Sequence, residues 1–167
     1  VEQMVYGEYG LLGAVRPGFI IADCSTAEPH STVKIAKDVE AKGGWFIDTP
    51  MTRTPKEAEA GKLGLMIAGP DDVLAKVRPV LECFADTIVK AGAVGAAHQL
   101  KLLNNFLAVG HAAMAAEAIT AAAAAGVDMK AFRDIVMAGG AASTMFGRLI
   151  NVPLSDDDSH AQFAIRN

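Results

Sequence analysis

Four short apolar runs punctuate the first 93 residues: "GFIIAD" (18–23), "WFID" (45–48), "LGLMIAG" (63–69) and "DTIVKAG" (86–92). The first is a β-branched run ended by Asp23, and each of the four is predicted to be a strand. Between the first two, "PHSTVKIAKDVEAKGG" places Val33, Ala36 and Val39 at helical spacing before a Gly-Gly stop. "PDDVLAKVRPVLECFA" (70–85) carries two aspartates in its first turn, where they suit a helix dipole. Strands alternating with helices predict an α/β unit with at least some parallel strands.

After Gly95 the strand pattern stops. "GAAHQLKLLNNFLAVGHAAMAAEAITAAAAAG" reads as one long helix ending near Gly126. "DMKAFRDIVMA" (128–138) is a second, amphipathic helix, and "AASTMFGRL" opens a third element. The chain is therefore predicted to be α/β followed by all-α, divided into residues 1–93 and 94–167. The alanine run 121–125 suits close helix packing, including packing against another subunit.

The 167 residues, 51% hydrophobic and 20% charged, allow a sizeable core and exclude disorder. A net charge of −4 and a pI near 5.5 offer no basic surface, which excludes nucleic acid as a partner. The charge-free run between Lys101 and Glu117 is shorter than the ~18 residues of a membrane span. It reads as the core helix of a soluble protein, with no membrane partner. Cys24 and Cys83 fit no metal or redox spacing, and their apolar surroundings favour buried thiols, which is compatible with a reducing cytoplasm. The chain opens on Val1 in mid-pattern and closes on "FAIRN" without a cap, so it reads as a fragment.

Polar residues inside an apolar helix need a reason. Lys101 and Asn105 lie four apart and share one helix face, flanked by Asn104 and His98. Asparagine is a poor interior helix residue, and two in succession need polar partners. A partly desolvated lysine near a domain junction is suited to acid–base work; a plain surface lysine is the alternative. "DCSTAEP" (23–29) follows a strand: Ser25 with Glu28 makes a capping box, or Ser25 and Thr26 face a ligand at the strand's carboxyl end. In "DTPMTRTPKEAEAGKL" (48–63), Thr52, Arg53 and Thr54 offer hydroxyls and a guanidinium fork suited to a carboxylate. His30, His111 and His160 show no metal-ligand spacing, "SDDDS" (155–159) lacks a calcium loop's glycine and glutamate, and no metal site is expected.

Taken in order, three segments resemble the β-hydroxyacid dehydrogenase family (3-hydroxyisobutyrate dehydrogenase-like, within the 6-phosphogluconate dehydrogenase superfamily). "IADCSTAEP" is similar to its D-x-S-T segment beside the nicotinamide. "GGWFIDTPMTRTPKEAEAGKLGLMIAG" is similar to its substrate loop and following strand, and "GAVGAAHQLKLLNN" to its G-x-G-x-x-x-K-x-x-N-N helix. The resemblance implies the C-terminal part of a Rossmann-type dinucleotide-binding domain, then a long interdomain helix and the start of a helical domain. It implies Lys101 as general acid/base, Asn105 (with Asn104) as positioning the substrate, and Ser25 and Thr26 beside NAD or NADP. Thr52, Arg53 and Thr54 would hold the carboxylate of a small hydroxy acid. A cytoplasmic homo-oligomer assembled through the helical domain follows from the same likeness.

The departures are as informative. Arg53 and Thr54 replace the family's paired glycines, and Ala97 replaces a third. An Arg53 pointing into the site would favour a larger or dicarboxylic acid; pointing outward it would be a solvated loop residue. No G-x-G-x-x-G turn occurs, so the chain alone is expected to bind cofactor poorly and not to turn over. The competing readings are a semialdehyde or imine reductase of the same superfamily and, for this segment alone, a non-catalytic helical interaction module. Imine reductases usually replace the lysine that Lys101 retains.

Overall fold

Strands form at all four apolar runs in the computed structural model, which describes residues 1–155. Helix α1 (Glu2–Tyr6) and a 3-10 turn at Leu11–Gly13 lead into β1 (Ile20–Asp23) and α2 (Pro29–Glu40). Strands β2 (Trp45–Asp48) and β3 (Met51–Thr52) are followed by the short helix α3 (Pro55–Glu59). Then come β4 (Leu63–Ala68), α4 (Asp71–Leu81) and β5 (Ala85–Gly92). Helix α5 (Ala96–Ala124) follows, and α6 (Met129–Ala138), α7 (Thr144–Leu149) and α8 (Asn151–Ser155) complete the described chain.

The sheet is mixed. β1 pairs parallel with β2, and β4 parallel with β5. Between them, Asp48 pairs with Ala68, Met51 with Leu65 and Thr52 with Gly64, all antiparallel and in one register. β2 and β3 are therefore one strand interrupted at Thr49–Pro50, where proline has no N–H to give the ladder. The Pro50 carbonyl still accepts from Met66 N–H at 3.1 Å.

Side chains alternate across this sheet with period two. Ile47, Leu65 and Ile67 turn to one face, where α4 supplies Val73, Leu74 and Leu81. Phe46 turns to the other, against Ile35, Ala36 and Val39 of α2 and Val5 of α1. The buried stripe of α2 is Thr32, Ile35, Ala36 and Val39. Val33, expected inside, is exposed, because the stripe that meets Phe46 begins one residue earlier.

Two compact units divide the chain, Val1–Leu103 and a second beginning at Asn104. Within the second, Ala115 and Ile119 of α5 bury against Phe146 and Ile150, with Phe132 meeting Phe146 edge-to-face at 5.5 Å. Asp128 caps α6 by accepting from Ala131 N–H at 2.7 Å, and Ser143 caps α7 through Phe146 N–H at 3.0 Å.

Several expectations need correcting. α5 is no core helix here: Leu102, Leu103, Phe106, Leu107, Val109 and Met114 are all exposed, and so is most of the 121–125 alanine run. By length and composition alone it would also pass as a membrane span. Cys83 is exposed and Cys24 only half-buried, since Cys83 falls on the turn just past α4. The His160 position and most of "SDDDS" lie outside the described residues.

Candidate active site

A buried carboxylate organises the first unit's candidate site. Asp48 ends β2 and is fully buried. Its Oδ1 accepts from Gly95 N–H and its Oδ2 from His98 N–H, both at 2.9 Å. Strand β2 thus caps the N-terminus of α5 with a negative charge, where the helix dipole favours one. A glycine makes this entry into the helix without strain. Gly95 has φ +94°, and a Cβ there would press on Val33 Cγ2 at 3.0 Å.

Lys101 lies in the second turn of this capped helix. It is half-buried, and burial alone holds its ammonium below the ordinary lysine value. Asn104 and Asn105 continue the same helix, also half-buried, at the start of the second unit.

At the end of β1 the backbone turns on Asp23, whose Oδ1 accepts from Ser25 N–H at 2.9 Å. Ser25 and Thr26 are left exposed just beyond the strand's carboxyl end. The Ser25–Glu28 capping box does not form. α2 begins at Pro29 with Glu28 in the N-cap position, so Ser25 stands too far upstream to cap it. This frees the Ser25 hydroxyl from a structural duty.

His98 ties that turn to α5. Its ring is fully buried, with Nδ1 at 2.7 Å from Thr32 Oγ1 and Nε2 at 3.2 Å from the Ser25 carbonyl. Asp23 Oδ2, buried and without a hydrogen-bond partner among the described residues, lies 3.9 Å from Nε2. Asp48 Oδ2 lies 4.0 Å from Nδ1. Nearby, Cys24 Sγ and the Thr49 hydroxyl share a 3.2 Å hydrogen bond.

The 52–54 loop is built differently from its sequence reading. Arg53 adopts φ +84°, a left-handed conformation that glycine takes without cost. Its guanidinium donates to Asp86 Oδ1 at 2.7 Å, to Thr87 Oγ1 at 2.9 Å and to the Lys62 carbonyl. That pairing, led by the Arg53 hydrogen bond, holds the Asp86 carboxyl below its usual range. The arginine fork is turned to the β5 side of the sheet and bound there. Thr54 forms a capping box with Glu57 at the start of α3, its N–H donating to Glu57 Oε2 at 3.0 Å.

The structure therefore joins Ser25 to the helix of Lys101 through Asp23, Thr32, Asp48 and His98; of these the sequence reading had named His98, as a flank of the Lys101 face, and had given none of them a role. The only trace of them in sequence was an aspartate closing each of two strands and a histidine three residues before Lys101. Among the described residues no cluster of histidine, cysteine and acidic side chains is arranged to hold a metal.

Comparison with known proteins gives a consistent result. The profile of the NAD binding domain of 6-phosphogluconate dehydrogenase matches residues 1–95. That of the NAD-binding region of NADP-dependent 3-hydroxyisobutyrate dehydrogenase matches residues 95–167. 2-(Hydroxymethyl)glutarate dehydrogenase of Eubacterium barkeri is 34% identical over 81% of this chain and 45% of its own length. A solved structure described as Psf3 in complex with NADP+ and 2-OPP superposes with a TM-score of 0.84 at 26% identity, over 95% of this chain and 56% of that one. Mycobacterium tuberculosis 3-hydroxyisobutyrate dehydrogenase with L-serine gives 0.73 at 31% identity, over 79% and 45%. The chain thus spans about half the length of the proteins it matches.

Proposed function

Given that the chain belongs to the β-hydroxyacid dehydrogenase family, we propose that it is part of an NAD(P)-dependent oxidoreductase interconverting a small β-hydroxy acid and its carbonyl form. The observation that carries this reading is Lys101, half-buried with a lowered pKa on a helix whose start is pinned by Asp48. The fit to a dinucleotide is partial but specific. Ser25 and Thr26 stand exposed past β1 with no capping duty, where a ligand of an open α/β sheet sits. These two residues would hold the nicotinamide end; a glycine-rich phosphate turn is not among the 167 residues. When bound, NAD(P) supplies the hydride acceptor or donor.

The protein's own part is proton transfer and positioning. In oxidation, neutral Lys101 Nζ accepts the proton of the substrate hydroxyl; in reduction, the ammonium returns it to the carbonyl oxygen. Desolvation raises the neutral fraction at a given pH, so it favours the base form. Asn105, one helical turn beyond Lys101, and Asn104 offer amides to the substrate's polar groups. Thr52 and the backbone of Arg53 would meet the carboxylate, because the arginine keeps glycine's backbone shape while its side chain pairs with Asp86; Thr54, whose N–H is held by Glu57, would shape the loop. A small acid, rather than one needing a second cationic contact, fits that loop. Self-association through the helical unit is supported by exposed Phe106, Met114 and Ile135.

The test is turnover by the full-length protein on a panel of small, bulky and dicarboxylic β-hydroxy acids, read as NAD(P)H absorbance. Turnover of at least one small acid, lost in Lys101→Ala, is expected. Equal silence of wild type across the panel would remove the assignment.

A further inference from the structure

We infer that His98 is a positioning residue that sets the Ser25 turn relative to Lys101, an inference that rests on the proposed dehydrogenase reading. His98 is the point where three elements meet. Its backbone N–H goes to Asp48 at the end of β2 (2.9 Å), Nδ1 to Thr32 on α2 (2.7 Å), and Nε2 to the Ser25 carbonyl past β1 (3.2 Å). No other residue among those described bonds all three of these segments.

The Ser25 contact selects one proton position on the ring. A carbonyl oxygen can only accept, so the Ser25 contact requires a hydrogen on Nε2. The one hydrogen of the Thr32 hydroxyl lies between Nδ1 at 2.7 Å and the Glu28 carbonyl at 3.1 Å, and that carbonyl already accepts from Thr32 N–H; given to Nδ1, the hydrogen satisfies the second ring nitrogen. Asp23 adds a second hold on Ser25. It holds Ser25 N–H with one oxygen and turns the other toward Nε2 at 3.9 Å, so both ends of the Ser25 residue are gripped by one buried cluster.

The consequence for the site is geometric. With its N–H and its carbonyl both fixed, Ser25 has little freedom left except in its exposed side chain. Lys101 follows His98 by three residues, so the two lie on neighbouring positions of one helix face. Any rotation of the capped first turn of α5 would move both together. A displacement on the order of 1 Å between groups that must meet in near-attack geometry costs rate far more than stability. His98 touches neither substrate nor cofactor in this account; it acts through Ser25 and the helix.

The experiment compares His98→Leu and His98→Gln in the full-length enzyme, with kcat and KM normalised to folded protein. The glutamine amide reproduces an Nε2 donor and can accept from Thr32; leucine fills the space without either. The expected result is a fall in kcat of about ten-fold or more for His98→Leu, with most of it restored by His98→Gln. Equal kcat for wild type and His98→Leu, or no rescue by glutamine, overturns the inference. If His98→Leu does not fold, Thr32→Val, which keeps the ring but removes its hydroxyl partner, must still lower kcat by a few-fold; unchanged kcat overturns it. The tautomer gives an independent readout. A nitrogen-15 spectrum of the wild type should show His98 protonated at Nε2, and protonation at Nδ1 alone would contradict the Ser25 contact. Loss of activity in Lys101→Ala with full activity in His98→Leu would sink this inference while leaving the proposed function standing.

Discussion

The first unit buries a large apolar core, and the second, among the described residues, buries a small one. In the first, Ile47 is 0% exposed between the sheet and α4, and even the polar residues Asp48, Thr49 and His98 are buried. In the second, Phe106, Ile135 and Met114 are 76%, 70% and 63% exposed. Both units are rich in apolar residues, so composition does not separate them. Arrangement does. Alternating strands give each apolar residue a defined face with a helix waiting on it, whereas α5 is apolar on nearly every side and is left unburied along most of its length. An isolated all-round apolar helix is a surface that still seeks contact.

That contrast predicts a steep gradient in mutational cost. The largest effect on stability is expected at Ile47→Ala, which deletes fully buried carbons between β2, β4 and α4; denaturant unfolding should show a loss of about 2–5 kcal/mol. Asp48→Ala comes next. It leaves two N–H groups of α5 without their carboxylate acceptor, a lost helix cap costing about 0.5–2 kcal/mol, and should fray the helix start in amide exchange.

Arg53→Gly should change stability little. The substitution relieves a left-handed φ and gives up an exposed ion pair, which is worth little. Its effect is local and visible by titration. Arg53 lowers the Asp86 pKa, so the small stabilisation it gives is present above the ordinary carboxylate range and lost as pH falls through the lowered value. In Arg53→Gly, carbon-13 titration should find Asp86 moved back up, and the ranking of hydroxy acids by kcat/KM should stay unchanged. The smallest effect on stability is expected at Phe106→Ser, within about 0.5 kcal/mol in this chain. If the full-length protein self-associates through this surface, the same change should lighten the assembly in sedimentation velocity.

What the sequence revealed follows from how local each signal is. β-branched runs ended by aspartate and glycine located the strands, and the halt in that pattern after Gly95 marked the onset of α5. The antiparallel course of β3 beside β4 escaped notice because two residues after a proline carry too little periodicity. α3 was missed although Thr54-Pro55 with Glu57 is a capping box written in plain sequence; the same signal was read instead at Ser25 and Glu28, where Pro29 and the Asp23 turn override it. Arg53's direction depended on Asp86 and Thr87, more than thirty residues away, and His98's role on Ser25 and Asp48. Pairings across such separations leave no local trace.

The central claim is that Lys101 moves the proton, and the pH dependence of kcat in full-length wild type and Lys101→Ala tests it most directly. Because burial lowers the lysine's pKa, oxidation should rise to a plateau with an apparent pKa below the ordinary 10.5, and reduction should fall across the same interval. Lys101→Ala should lose about 10²–10⁴ in kcat, lose that limb of both profiles, and keep its cofactor affinity within a few-fold. A variant that retains both the rate and the limb would contradict the account.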